Sequence, residues 1–364
     1  MIRILFLAPL PPPITGQSVA SRALLDAMKE FYEVNCINFS KNDVYANSRG
    51  VSRIIQVIYN IFEVLNKKNQ SDLIYITISE SIAGNIKDLF IYLICYDKLT
   101  KMYIHLHGGT IKRQLWDKYS IIYRINQYFL SKSAGIIVSG KSHEQIFDGI
   151  VEPKKISIIP NFANDDLFVN KKMIEEKFSE TMSLRIVYIS SMKEQKGYMT
   201  LLNSFIGLDQ TEQSKLRIDF AGYFDDSKSE ECFKSKIKKY PSINYHGVIS
   251  HEQKIALFQE AHVFILPSKF LEGQPISILE AYASGCVVLA SSQEGILDIF
   301  THEVNGFVIN KEDMEACLIS CLRRLINSKS TELKEIALFN HLNATSKYRS
   351  INFTNAVMQK MNLI

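Results

Sequence analysis

Glu272 and Glu280 stand eight positions apart, on either side of a change from loop to helix. The stretch Phe270-Leu271-Glu272-Gly273-Gln274-Pro275-Ile276-Ser277-Ile278-Leu279-Glu280-Ala281 follows an apolar run, Val263–Leu266, that reads as a buried strand closed by Pro267-Ser268. Pro275 suits the first turn of a helix, where its missing N–H costs nothing. Gly285 marks the stop. Free N–H groups and the positive end of the helix dipole meet at such a place and favour an anion such as a phosphate. Carboxylates beside it are suited to hold sugar hydroxyls by charge-assisted hydrogen bonds. Taken alone, the same residues also fit a solvated loop glutamate and a helix-surface glutamate.

Other residues with chemical capacity also follow strand-like runs. Lys193, Lys196 and Gly197 lie in the polar turn Ser190–Gly197, after Leu184–Ile189. Met102–Leu106 leads into His107-Gly108-Gly109-Thr110, with His105 one step back. A His-x-His pair on a strand can ligate a metal, but no third ligand stands at a suitable spacing and no metal is expected. One of the two also reads as a core histidine, with Leu106 between them facing the other way. Gly16 ends the rigid run Pro9–Thr15 after the first strand. It would allow a ligand close to the backbone at a helix start, or serve as a simple turn. That loop is not G-x-G-x-x-G, so no dinucleotide fingerprint is present.

The elements that must position these residues alternate strand and helix throughout. The first half reads as strands Ile2–Ala8, Val34–Phe39, Leu73–Ile78, Met102–Leu106, Gly135–Ser139 and Ile156–Ile159. The second reads as Leu184–Ile189, Leu216–Ala221, Ile243–His246, Val263–Leu266 and Cys286–Ala290. A helix over Ser52–Leu65 would carry Ile54, Ile58, Ile61 and Leu65 on one face. Ser250 and Gln253 fit a capping box opening another. The alternation argues for an α/β protein with two parallel sheets and a cleft between them. Residues 1–165 would form the first domain and 166–345 the second. Residues 163–183 are polar and weakly periodic, as in a linker, and a helix over 346–364 would pack back on the first domain.

Composition narrows the function classes. The chain has 364 residues, 46% of them hydrophobic, and a net charge of +4, too small to argue for nucleic acid. Residues 1–162 carry 19 Lys and Arg against 13 Asp and Glu, so the basic excess lies in the first half. That suits an anionic membrane surface or acceptor, or is scattered surface charge. Lys112–Lys132 reads as an amphipathic helical region in which Lys112, Arg113, Lys118 and Arg124 mix with Trp116, Tyr119, Tyr123 and Tyr128. It fits a membrane interface, or a helix packed by its aromatics with a solvated basic face. Six cysteines without a CxxC pair fit a reduced compartment. The longest apolar stretches are too short to span a bilayer. The expected location is cytoplasmic, at most peripheral on the inner face of the plasma membrane.

Taken together, these motifs resemble the large retaining glycosyltransferase family 4, with the GT-B fold of two Rossmann-like, doubly wound domains facing across a cleft. The carrying segments are EGQPISILEA after HVFILPS, Lys196-Gly197 after YISSMKEQ, INYHGVISHEQ, SGCVVLASSQEGILDIFTHEVNGFVI, and Ile159-Pro160-Asn161. The segments PLPPPITGQS and HLHGGT resemble bacterial enzymes of O-antigen and capsule assembly.

The resemblance implies a nucleotide-sugar donor, UDP-linked, as substrate with no cofactor. A lipid-linked oligosaccharide would be the acceptor, with peripheral membrane contact through the first domain. Glu280 would take the ribose hydroxyls and Glu272 a hydroxyl of the donor sugar. Backbone N–H groups over Gly273, Gln274, Pro275 and Ile276 would meet sugar or phosphate. Lys196 would neutralise the diphosphate leaving group, Val248 would hold the base by main-chain contact, Gly16 would approach the phosphate, and His107 would touch the donor sugar. The family commonly places an Arg where this chain has Ser191, and Lys193 would stand in for it without an Arg fork. A nucleotide-sugar epimerase and a non-catalytic nucleotide-sugar-binding protein are the alternative readings.

Overall fold

The computed structural model describes residues 1–40, 51–179 and 183–364. The chain forms two compact units, Met1–Asn161 with Ile351–Ile364, and Phe162–Ser350.

The first unit is built on a six-stranded parallel sheet in the order β2-β1-β3-β4-β5-β6. Its strands are β1 (Arg3–Ala8), β2 (Glu33–Asn38), β3 (Leu73–Thr77), β4 (Met102–Leu106), β5 (Gly135–Val138) and β6 (Ile156–Ile158). The helices between them include α1 (Gly16–Lys29), α2 (Val51–Lys68), α3 (Ile82–Ile94) and α4 (Ser120–Ser131). Right-handed crossovers put α1 on one face of this sheet and α2, α3 and α4 on the other. Val64, Ile91, Tyr92, Phe129 and Leu130 of the latter three accordingly share one core with Ile74, Ile104 and Val138. On β4 the side chains alternate. Leu106 enters this core, whereas His105 faces the opposite side and lies 6.1 Å from the Phe353 ring.

The second unit repeats the plan in the order β12-β11-β10-β7-β8-β9. Here the strands are β7 (Leu184–Ile189), β8 (Leu216–Ala221), β9 (Ile243–Tyr245), β10 (Val263–Leu266), β11 (Val287–Ser291) and β12 (Gly306–Ile309). Every strand read from the sequence is present, with ends displaced by one residue at most. β12 was not foreseen. It is four residues long, opens on a glycine, and pairs in register with β11, a partner that its own sequence does not reveal.

Two expectations need correction. The stretch expected to be a linker packs into the second unit: Val169, Ile174 and Phe178 are buried in its core, and Lys171–Lys177 is a helix capped by Asn170. Those apolar residues are spaced widely among charges, which hid the pattern. The region Lys112–Lys132 is not one helix. A π-helical turn, Lys112–Trp116, precedes α4, and Trp116 is buried against Tyr123 and Phe147. On α2, Ile54, Ile58 and Leu65 do share one face, and it is the exposed one, while Val64 and Asn60 point inward.

Candidate active site

In doubly wound sheets, ligands bind beyond the carboxyl ends of the strands, where the strand order reverses. In the second unit that point lies between β7 and β10. The loops leaving these two strands, Ser190–Gly197 and Pro267–Pro275, carry the residues singled out by their chemistry.

The two loops are stitched together. The backbone N–H groups of Lys269 and Phe270 donate to the Gln195 carbonyl at 2.7 and 3.2 Å. Tyr188, fully buried on β7, donates its hydroxyl to the carbonyls of Ser191 and Lys196, both at 3.3 Å. Ser291 and Gln293 anchor the second loop from below, donating to the Ser268 carbonyl at 2.6 and 3.1 Å. Gly197 adopts a left-handed φ of 84°, and its bare Cα lies against the Pro267 carbonyl. Gly295 packs the same way against the Gly273 carbonyl. Two glycines thus let the backbone approach where no Cβ would fit.

On this frame Lys196 meets Glu272. Its Nζ donates to both carboxylate oxygens, at 2.7 and 2.8 Å, and sits 5.1 Å from the Phe270 ring centroid. Neither side chain is freely solvated; Glu272 is only 9% exposed. The helix Ile276–Ala283 begins at Pro275 with no side-chain cap, so the N–H groups of its first turn stay at the loop. Gln274 and Ile276 are buried there, and Gly273 and Pro275 are half-buried. Gly285, with φ 63°, closes the helix.

Glu280 is buried one turn further on, and Lys254 donates to its Oε1 at 2.6 Å. Sequence reasoning missed Lys254. It lies on the helix His251–Glu260, whose start the Ser250–Gln253 capping box had marked, but nothing local pairs it with a residue 26 positions away. The other expected contacts are more open. Lys193 forms an ion pair with Asp225 at 3.2 Å, Ser191 offers no charge, and Val248 is exposed just after β9.

In the first unit the order reverses between β1 and β3. Gly16 is the exposed first residue of α1, directly after the N-cap Thr15, which forms a capping box with Ser18. His105 is fully buried and shares a 2.7 Å hydrogen bond with the Tyr75 hydroxyl, so it is the core histidine of the pair. His107 stacks on it, ring centroids 3.9 Å apart. Burial lowers the His107 pKa to about 3, and that of His105 also falls well below the ordinary value. Both rings are therefore neutral at pH 7. A neutral His107 offers one donor and one acceptor nitrogen to a hydroxyl. The loop beyond is held by Glu80, whose carboxylate accepts from the N–H groups of Thr110 and Ile111 at 2.5 and 2.9 Å. Among the described residues, no three His, Cys, Asp or Glu side chains come together as a metal site.

The sign of the histidine shift sets a pH dependence. The unfolded imidazole takes up a proton near pH 6.5, and the folded ring resists until about pH 3. The contribution is whole above pH 6.5 and is lost as pH falls through that window. Moving from pH 7 to 5 should cost about 2 kcal/mol through His107. Urea midpoints at both pH values should show a smaller acid loss in His107→Gln; equal losses would contradict the assignment.

The fold with its two sheet-reversal sites defines the class, a GT-B protein of two Rossmann-like units. The comparisons agree. Residues 169–335, within the second unit, match the model of the family described as glycosyl transferases group 1. An uncharacterized glycosyltransferase of Methanocaldococcus jannaschii is 27% identical over 179 residues, 47% of this chain and 45% of its own length. A UDP-Gal:alpha-D-GlcNAc-diphosphoundecaprenol alpha-1,3-galactosyltransferase of Escherichia coli is 22% identical over 270 residues, 68% of this chain and 67% of its own. The chain thus spans about half the length of the archaeal relative. Among solved structures, Anabaena Alr3699/HepE in complex with UDP and glucose superposes over 100% of both chains, with TM-score 0.76 and 13% identity. WaaG, a glycosyltransferase involved in lipopolysaccharide biosynthesis, covers 98% of this chain and 99% of its own, with TM-score 0.66 and 12% identity. At such identities the likeness speaks for the fold.

Proposed function

We propose that the chain transfers a sugar, with retention, from a UDP-linked donor to a hydroxyl of a lipid-linked glycan in surface polysaccharide assembly. The observation that carries this reading is the Lys196–Glu272 pair, held at the sheet reversal beside an uncapped helix N-terminus. A diphosphate entering there would exchange the carboxylate on Lys196 for its own oxygens. Glu272 would then be free to accept from a sugar hydroxyl, and the N–H groups of the helix start would face the remaining charge. Glu280, already preorganised by Lys254, would receive the ribose hydroxyls.

In the reaction the bond from the anomeric carbon to the phosphate oxygen breaks, and its electron pair leaves on the diphosphate. The acceptor oxygen bonds to the same face of that carbon, and its proton passes to the departing phosphate oxygen. Lys196 and the helix N-terminus stabilise the charge where it develops. No protein nucleophile is required. The E. coli relative named for UDP-Gal and a diphosphoundecaprenol acceptor, and the Anabaena structure with UDP, support the choice of donor and acceptor classes.

Thermal shifts with UDP-, GDP-, ADP- and TDP-sugars test the donor. A UDP-sugar should stabilise the protein most; a preference for another nucleotide would overturn that part of the reading. Incubation with UDP-N-acetylglucosamine alone should yield no epimer, and turnover should require a lipid-linked acceptor. Glu280→Ala should weaken UDP binding about tenfold or more, measured by calorimetry, because a charge-assisted hydrogen bond to the ribose is lost. Unchanged affinity would remove Glu280 from the ribose.

A further inference from the structure

The second unit buries an ion pair where apolar packing would serve as well. Glu280 lies on the helix Ile276–Ala283 between Leu279 and Ala281, both fully buried, and Lys254 donates to its Oε1 at 2.6 Å. Taking two charges out of water costs about as much as their attraction returns, so stability alone does not call for such a pair. Lys254 also breaks a local rule. It is the fourth residue of the helix His251–Glu260, close to the positive end of the helix dipole, where a cation is disfavoured. Residues that break a local rule without a gain in stability point to function.

The pair is only half satisfied. Among the described residues, Glu280 Oε2 accepts no hydrogen bond, and Lys254 Nζ has no partner besides Oε1. Oε2 is not sealed from solvent. The lysine side chain is 24% exposed against 6% for the glutamate, so the pair opens on the lysine side. What remains is an acceptor oxygen beside an ammonium with two hydrogens to spare. A hydroxyl complements such a pair, because it gives one hydrogen and accepts another. The spare capacity is that of two hydroxyls rather than one.

Position agrees with chemistry. The helix that carries Lys254 starts just after Val248, and the helix that carries Glu280 starts at the loop of Glu272. The ion pair joins these two helices. It thus links the stretch read for the base to the stretch read for the sugar and diphosphate, as ribose links them in a nucleotide.

We propose that Lys254 is a donor-binding residue that selects ribonucleotides: with Glu280 it reads the neighbouring 2′- and 3′-hydroxyls of the ribose. Nζ donates to a hydroxyl oxygen while Glu280 accepts from the diol. A deoxyribose leaves part of a buried charged pair unmet, and TDP-sugars, which lack the 2′-hydroxyl, are rejected for that reason. The inference deepens the reading of Glu280 as the ribose ligand and rests on it.

Calorimetric titration of the full chain with UDP, 2′-deoxy-UDP and 3′-deoxy-UDP tests it. Wild type should bind each deoxy analogue at least about tenfold more weakly than UDP. Lys254→Met keeps the length of the side chain and removes its charge. It should weaken UDP binding about tenfold and reduce at least one of the two deoxy penalties to below about threefold. If Lys254→Met does not fold, Lys254→Gln takes its place with the same expectation. A deoxy analogue that binds wild type as tightly as UDP would overturn the proposal. So would a variant with a lowered melting temperature but unchanged affinities for all three nucleotides, the mark of a purely structural pair. No binding of UDP to wild type would bring down the donor reading and this inference with it, whereas UDP binding that is blind to the hydroxyls would sink the role of Lys254 alone.

Discussion

Lys196→Ala should lower kcat by about 10²-fold or more, with a smaller change in KM for the donor. The reason lies in when the cation matters. The donor's diphosphate carries charge before reaction, but the charge on its leaving oxygen grows only as the glycosidic bond breaks. A cation placed there stabilises the transition state more than the ground state, and such an interaction appears in kcat. The substitution also strands Glu272, which is only 9% exposed and bonded through both oxygens to Lys196. Glu272→Gln, which keeps the shape of the side chain, should therefore accompany it. Steady-state kinetics with a saturating acceptor, checked against the melting temperature of each variant, make the measurement. An unaltered kcat in a folded Lys196→Ala protein would remove the leaving-group role.

The second large effect is on stability. Gly197→Ala should destabilise the second unit by about 3 kcal/mol or more, from two sources. A left-handed φ of 84° costs an ordinary residue roughly 1–2 kcal/mol. The added Cβ would also overlap the Pro267 backbone carbonyl, which has no rotamer to escape into. Gly247 provides the control. It too has a positive φ, 67°, but no atom lies within 4 Å of a Cβ built there. Gly247→Ala should therefore show the conformational cost alone. By calorimetry Gly197→Ala should melt roughly 10 °C below wild type and well below Gly247→Ala. Equal melting temperatures would mean that the approach of Gly197 to Pro267 constrains nothing.

Why some features were legible and others not follows from range. The strand Val263–Leu266, its Gly- and Pro-containing loop and the following helix are written in adjacent residues, and the structure reproduces them. So is the Ser250–Gln253 capping box, whose two reciprocal bonds both form. The Lys254–Glu280 pair joins elements that meet only after the sheet assembles, and no local pattern specifies it. The α2 stripe was legible as a face but not as to its side. Periodicity finds an apolar face but does not say whether core or solvent receives it. Ile54 and Ile58 look the same in sequence as Val64, which is buried. The helix Lys171–Lys177 was lost because its single buried residue, Ile174, stands among lysines and glutamates.

The chain closes by returning Ile351–Ile364 to the first unit. Phe353 lies beside the His105 ring, Val357 and Met358 are buried, and Tyr32 donates to the Leu363 carbonyl at 2.5 Å. During synthesis the first unit emerges early but lacks this last piece of its interior until the whole second unit has been made. Its strands must wait, with the Tyr75–His105 side of the sheet short of one covering helix, while residues 162–350 fold. Completion of the first unit is thereby tied to completion of the second, and a polypeptide halted midway would leave its earliest-made half unfinished and open to proteolysis.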